Sequence, residues 1–83
     1  MKLFLDTEFA DPDARELVSL ALVSEDGNQV FYAERDPLPL FATAFVRQHV
    51  YPLLDRGRAA MYDNLFSATL CAFLERVEDP HII

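Results

Sequence analysis

The sequence predicts a small α/β fold in which three β-strands are followed by two helices and the start of a fourth strand. Two observations lead to this prediction. In the first 35 residues, runs rich in β-branched, aromatic and aliphatic residues are separated by turn-forming residues. After residue 40, apolar residues recur at every third or fourth position, which is the period of an amphipathic helix.

The first predicted strand covers residues 2–9 and determines most of the functional prediction. Its aliphatic and aromatic residues alternate between both faces, which is typical of a central strand that is buried on both sides. The strand ends in Asp6-Thr7-Glu8. Because successive side chains of a strand point to opposite faces, Asp6 and Glu8 should share one face with Phe4, about 7 Å apart.

Two carboxylates so placed predict a cation site. Like charges at the end of a buried strand cost free energy unless a positive charge lies between them, and a divalent cation with hard oxygen ligands would supply it. The alternative is a chance pattern, because Asp-x-Glu is common and strands often run into acidic loops. The residues alone leave both interpretations open.

The second and third strands are predicted at residues 17–25 and 29–35, as an antiparallel hairpin. Asp26-Gly27-Asn28 separates them, and these residue types tolerate the positive φ that tight hairpin turns need. With the first strand, the hairpin would form a three-stranded antiparallel sheet.

Two helices are predicted next, at residues 41–54 and 64–78. In the first, the apolar face comprises Phe41, Phe45, His49 with Val50, and Leu53, and Pro52 should end or kink the helix. His49 is interpreted as a packed histidine. Residues 81–83 then begin a fourth strand, and we expect that the chain has been cut there.

Composition limits the classes of function. The net charge of −7 argues against nucleic-acid binding by broad phosphate neutralisation, although a carboxylate metal site remains compatible with it. A single cysteine, no signal-peptide pattern and no membrane-length apolar run predict a cytoplasmic protein without membrane attachment. The hydrophobic content of 52% is high for 83 residues and suggests either oligomerisation, in which case we expect a homodimer, or the loss of a segment that would cover some of this surface.

Four segments together carry a family resemblance: FLDTEF at 4–9, ELVSLALV at 16–23, EDG at 25–27 and FVRQHVYPL at 45–53. This layout resembles the N-terminal half of the DEDD superfamily of 3′–5′ exonucleases, which have a ribonuclease-H-like fold. It is most similar to the small stand-alone bacterial exoribonucleases of that group. The chain would then be a single partial exonuclease-like domain, residues 1–83, with a truncated fold.

The resemblance implies a metal-dependent 3′–5′ exonuclease acting on the 3′ end of single-stranded nucleic acid. RNA is expected as the substrate in preference to DNA. The complete family has two Mg²⁺ or Mn²⁺ ions about 4 Å apart. By resemblance Asp6 and Glu8 are the catalytic metal ligands, and Thr7 and Phe9 contact the terminal nucleotide. For Phe9 the alternative is an ordinary core aromatic. The later catalytic motifs of the family are absent from this chain.

A second hypothesis comes from a different class of protein. The chain would be a non-catalytic interaction module of the same fold, in which a sheet edge and the apolar surface recruit a second copy.

Overall fold

A computed structural model describes residues 1–13 and 15–83. Residue 14, in the predicted loop between the first two strands, lies outside the described residues. The structure is a mixed five-stranded sheet with one long helix on one face and a short irregular helical segment on the other. The strands are β1 Lys2–Phe9, β2 Leu17–Ser24, β3 Val30–Arg35, β4 Ala60–Met61 and β5 His81–Ile82, and the long helix is α1 Asp63–Arg76.

The three predicted long strands and their hairpin are confirmed. β1 pairs with β2, and β2 with β3, both antiparallel. Gly27 has φ 78° in the hairpin turn, where the Oδ1 atom of Asp26 accepts hydrogen bonds from Ser24 Oγ (2.6 Å) and Asn28 N (2.9 Å). The turn residues therefore fix the register of the hairpin.

The predicted three-stranded antiparallel sheet is wrong in its extent. The order is β4-β3-β2-β1-β5, and each edge strand lies parallel to its neighbour. β5 is the predicted start of a strand, with His81 opposite Lys2. β4 was not predicted because two residues directly after a 3₁₀ turn carry no readable strand pattern.

The predicted helix at 41–54 is also corrected. Helical structure begins at residue 44, continues as a π turn over Val46–Val50 and ends as a 3₁₀ turn over Tyr51–Leu53. Thr43 sets the start, because its Oγ1 atom accepts a hydrogen bond from Val46 N (3.2 Å), and Pro52 prevents a regular end. We call residues 44–54 the cover segment.

The apolar face predicted for that helix is wrong as well. Phe41, Phe45 and Leu53 are 82%, 67% and 80% exposed, and in the helical part of the segment it is Val46 that is buried. π and 3₁₀ turns do not keep the 3.6-residue period on which the prediction depended.

The main core lies between α1 and one face of the sheet. α1 is confirmed within two residues of its predicted bounds and packs over β3 and β4. The core cluster contains residues of three strands, of α1 and of its C-terminal end: Leu3, Leu22, Phe31, Ala33, Phe66, Phe73 and Val77. This face supplies most of the apolar burial in the molecule.

β1 is central in the sheet but not buried on both sides. Phe4 and Leu5 are 46% and 44% exposed, because α1 lies over the β3 side and β5 is short. The homodimer stays a prediction. In the described parts of the chain, no helix combines the length and the hydropathy needed to cross a bilayer.

Candidate functional site

The face of the sheet opposite α1 carries the polar residues. Asp6 of β1 lies opposite Ala21 of β2, which lies opposite Tyr32 of β3. In the next row Glu8 lies opposite Ser19, which lies opposite Glu34. Directly opposite residues of neighbouring strands share a face, so the two predicted metal ligands face the same side as Tyr32 and Glu34.

A cleft of about 270 Å³ opens on this face. The cover segment forms one of its walls, and residues of β1, β2 and β3 form the remainder. The lining residues are Asp6, Glu8, Ser19, Tyr32, His49, Val50, Leu53 and Leu54. Ala21 has the smallest side chain of its row, which leaves room between the carboxylates and the ring of Tyr32.

The structure brings Asp6 and Glu8 together as predicted, and it leaves both exposed. Neither carboxylate makes a hydrogen bond or an ion pair with any residue that the structure describes. Glu34, on the same face of the sheet, is by contrast fully engaged. The oxygens of Asp6 and Glu8 are therefore available to a ligand.

The donor set fits a hard divalent cation held in part by water. Mg²⁺ and Mn²⁺ prefer carboxylate oxygens, and Mg²⁺ is commonly bound by one or two carboxylates together with water and substrate phosphate. Within residues 1–13 and 15–83 no group of three or more His, Cys, Asp or Glu side chains is placed to hold a metal ion. Asp6 and Glu8 thus fit an open, hydrated site and not a closed protein cage.

Glu34 forms the polar anchor on the far side of the cleft. Its side chain is 0% exposed and accepts hydrogen bonds from the Tyr32 hydroxyl, Asp55 N (2.6 Å) and Arg56 N (2.8 Å). The Arg56 guanidinium adds a contact of 3.3 Å to the same carboxylate. Both oxygens of this buried charge are satisfied, as burial requires.

The protonation states of Glu34 and Tyr32 follow from burial and from their hydrogen bonds. Burial by itself raises the pKa of Glu34, but the bonds from Tyr32, Arg56 N and Asp55 N, with the Arg56 charge, outweigh it, so the pKa lies below its ordinary value. Burial, and then the bond to Glu34, raise the pKa of the Tyr32 hydroxyl. Tyr32 therefore stays protonated and Glu34 stays ionised around neutral pH.

The two predicted nucleotide contacts lie in different places. Thr7 is half-buried and lies on the opposite face of the sheet from Asp6 and Glu8, so it does not line this cleft. It does not line the second cleft described next either. Phe9 follows a shift in the strand register and lines a second cleft of about 560 Å³. Phe45 and Val46 of the cover segment line that second cleft too, so the same segment borders both.

Three polar residues of the cleft were missed by the sequence reasoning. Ser19 and Tyr32 could have been found by counting the hairpin register outward from the turn, since Val23 pairs with Val30. His49 was predicted to be packed, but it is exposed at the cleft, with its ring 4.8 Å from that of Phe45. The irregular turn of the cover segment gave no sequence signal.

Comparison with known proteins gives a partial similarity. No family model matches the chain. Over 55 residues it is 40% identical to 3′–5′ exoribonucleases of two strains of Mycobacterium tuberculosis. The matched region covers 65% of this chain and 33% of each relative. The chain therefore spans about a third of the length of the curated relatives it matches, and over that part it is similar to 3′–5′ exoribonucleases.

Proposed function

We propose that this chain carries the first metal-binding motif of a 3′–5′ exoribonuclease, with Asp6 and Glu8 as ligands of Mg²⁺ or Mn²⁺. The observation that carries the proposal is the pair of exposed carboxylates on one face of β1, at a cleft, in a chain similar to 3′–5′ exoribonucleases. The ribonuclease-H-like fold and DEDD-type chemistry belong to the proposal. A mixed sheet whose first three strands are antiparallel supports them.

In a site of this class the bound ions would activate water and stabilise the leaving oxygen of the phosphodiester. The residues of this chain would bind the cation and form the walls of the cleft. Asp6 and Glu8 would hold the cation from β1, while Val50 and Leu54 would supply an apolar wall of the cleft. Glu34 is already bonded on all sides and is not available as a ligand.

The substrate would be the 3′ end of single-stranded RNA. An unpaired base has an accessible aromatic face, and stacking on a protein ring is worth about 1–3 kcal/mol. Phe9, which directly follows Glu8 in β1, and Phe45 line the second cleft and would receive such a base. The net charge of −7 means that phosphate would be neutralised locally, at the cation, and not by a broad basic surface.

Hydrolysis needs more groups than the described residues supply at this cleft. Two carboxylates leave most of the coordination positions of a two-ion site to water, phosphate or further protein ligands. We therefore propose cation binding for this chain itself, and hydrolysis for an assembly in which other residues complete the site.

Tyrosine-sensitised Tb³⁺ luminescence tests the cation site directly. The chain has three tyrosines and no tryptophan, and Tyr32 lines the same cleft as the carboxylates. A hard lanthanide bound there should be excited through Tyr32 and displaced by Mn²⁺. We expect Asp6→Asn to weaken Tb³⁺ affinity roughly tenfold, since it removes one of two charged ligands.

The matched control is Glu75→Gln, which removes an exposed carboxylate from α1. It should leave the titration unchanged. Equal affinities for the unmodified chain and Asp6→Asn would contradict the ligand assignment. In parallel, end-labelled single-stranded RNA and DNA should be incubated with Mn²⁺. Stepwise 3′ shortening that Asp6→Asn abolishes would extend the proposal to catalysis by this chain.

A further inference from the structure

Glu34 hydrogen-bonds to two parts of the cleft, the Tyr32 side chain and the backbone that follows the cover segment. One of its bonds comes from Tyr32, whose ring lines the cleft opposite the carboxylates. Two others come from the backbone of Asp55 and Arg56, which directly follow Leu53 and Leu54 of the cover segment. A single buried carboxylate thus holds the side wall and the end of the cover at once.

The cover segment depends on such ties because its apolar packing is slight. Its helical part buries Val46, while Phe45 and Leu53 are exposed. Its N-terminal end is fixed through Thr43, whose N–H donates to Ala10 O (3.0 Å). Tyr51 donates its hydroxyl to Pro39 O (3.0 Å) near the middle. At the C-terminal end, Asp55 N and Arg56 N donate to Glu34, while the Arg56 side chain also contacts Arg35 O and Asp36.

The backbone of Arg56 is strained, and the hydrogen bonds to Glu34 help to hold it in this conformation. Its φ is 53°, in the left-handed region that residues with a Cβ rarely adopt. Such a conformation persists where surrounding contacts determine it. Here they are the bonds of Arg56 to Glu34 and to Arg35 O (3.1 Å), with Asp36 Oδ1 at 3.4 Å from the guanidinium.

We propose that Glu34 is a positioning residue that holds the Tyr32 ring and the cover segment as walls of the cleft that contains Asp6 and Glu8, and so sets the shape of the cleft for a nucleotide. The inference rests on the proposed function for the identity of the ligand, but not for the positioning itself. It predicts a separation of effects. Loss of Glu34 should increase the local opening of the cover segment. The cation ligands belong to β1 and should stay in place.

Hydrogen exchange measures the positioning without any ligand. In Glu34→Gln an NH₂ group that faces hydrogen-bond donors replaces one acceptor oxygen, and the negative charge is lost, so the anchor is weakened while the side-chain volume is kept. We expect amide exchange in residues 51–56 to rise roughly tenfold, and exchange in α1 to rise by a clearly smaller factor. The control Phe73→Leu, which weakens the opposite face, should raise exchange across the sheet and α1.

If Glu34→Gln does not fold, Tyr32→Phe supplies the second measurement. It removes one donor from the carboxylate, and exchange at 51–56 should rise by a smaller factor. A uniform increase throughout the chain, or none in 51–56, would overturn the proposal, because a merely structural residue acts on global stability.

Binding then separates this proposal from the proposed function. The probes are Tb³⁺ and a 5′-labelled single-stranded oligoribonucleotide followed by fluorescence anisotropy in Ca²⁺. We expect Glu34→Gln to keep the Tb³⁺ affinity and to weaken oligoribonucleotide binding roughly tenfold. If the unmodified chain shows no Asp6-dependent binding of either probe, the proposed function fails, while the exchange result still decides the role of Glu34.

Discussion

The two faces of the sheet are held by different kinds of interaction. On the α1 face, side chains such as Phe31, Phe66 and Phe73 form an apolar cluster. On the cleft face the sheet presents Asp6, Glu8, Ser19, Tyr32 and Glu34, and its cover is an irregular segment fixed by hydrogen bonds. The same three strands therefore serve packing on one side and polar chemistry on the other.

The difference indicates where stability and function reside. Apolar burial gives most of the free energy of folding, whereas a buried polar network specifies geometry at a cost in desolvation. The unpartnered carboxylates, Asp6 and Glu8, lie on the weakly packed face of the described chain, where local opening is easiest. The α1 face should thus control global unfolding, and the cleft face should control the binding geometry.

The largest expected effect comes from breaking the α1 face. Phe73 is 2% exposed, and its ring lies 5.6 Å from that of Phe31. Phe73→Ala should lower the free energy of unfolding by about 3–5 kcal/mol, a large fraction of the stability of a domain of this size. Urea unfolding followed by circular dichroism measures it.

Leu65→Ala on the same helix is the matched control, because Leu65 is 50% exposed. Its cost should stay below about 1 kcal/mol. Similar losses for both variants would mean that α1 is not fixed by its buried face.

The long strands were predictable because their signals are local. Asp26-Gly27 marks the hairpin, and the period of two in β1 is sufficient to place Asp6 and Glu8 on one face, whatever the strand pairs with. α1 was predictable for the same reason, since its apolar spacing repeats along the whole helix.

The remaining features depend on contacts between distant residues. Glu34 reads as an exposed strand residue, and its burial is possible only because Asp55 and Arg56, 21 and 22 positions later, bring donors to it. The parallel pairing of β4 and β5 depends on how the chain crosses the sheet. The conformation of the cover segment depends on Thr43, which sets its start, and on Pro52, which prevents a regular helical end. The spacing of its apolar residues does not reveal either effect.

An intermediate effect should appear as acid sensitivity of the cleft face. The pKa of Glu34 is lower in the folded protein than its ordinary value of 4.5. The unfolded chain therefore binds this proton first as the pH falls. The stabilisation is complete above pH 4.5 and is lost as the pH drops through the folded pKa.

Urea midpoints measured from pH 7 downward should fall more steeply for the unmodified chain than for Glu34→Gln, which has no such proton to bind. Asp26, whose pKa is also lowered, chiefly by its hydrogen bond from Ser24, is present in both chains and cancels in the difference. Parallel curves would mean that folding does not lower the pKa of Glu34.

The smallest expected effect concerns Asp6, and its sign decides how the cleft face should be understood. Asp6 and Glu8 lie on one face with no described cationic partner, so in a cation-free buffer their repulsion opposes folding weakly. Asp6→Asn should then raise the free energy of unfolding by roughly a few tenths of a kcal/mol. Mn²⁺ at about ten times its Kd for the unmodified chain should reverse the order, because ligand linkage adds about 1.4 kcal/mol to that chain and only about 0.4 kcal/mol to Asp6→Asn, whose affinity is expected to be about tenfold weaker. Thermal melts with and without Mn²⁺ measure both signs. If Asp6→Asn is destabilised without the cation, the carboxylate contributes to folding, and the cleft face would resemble the α1 face instead of contrasting with it.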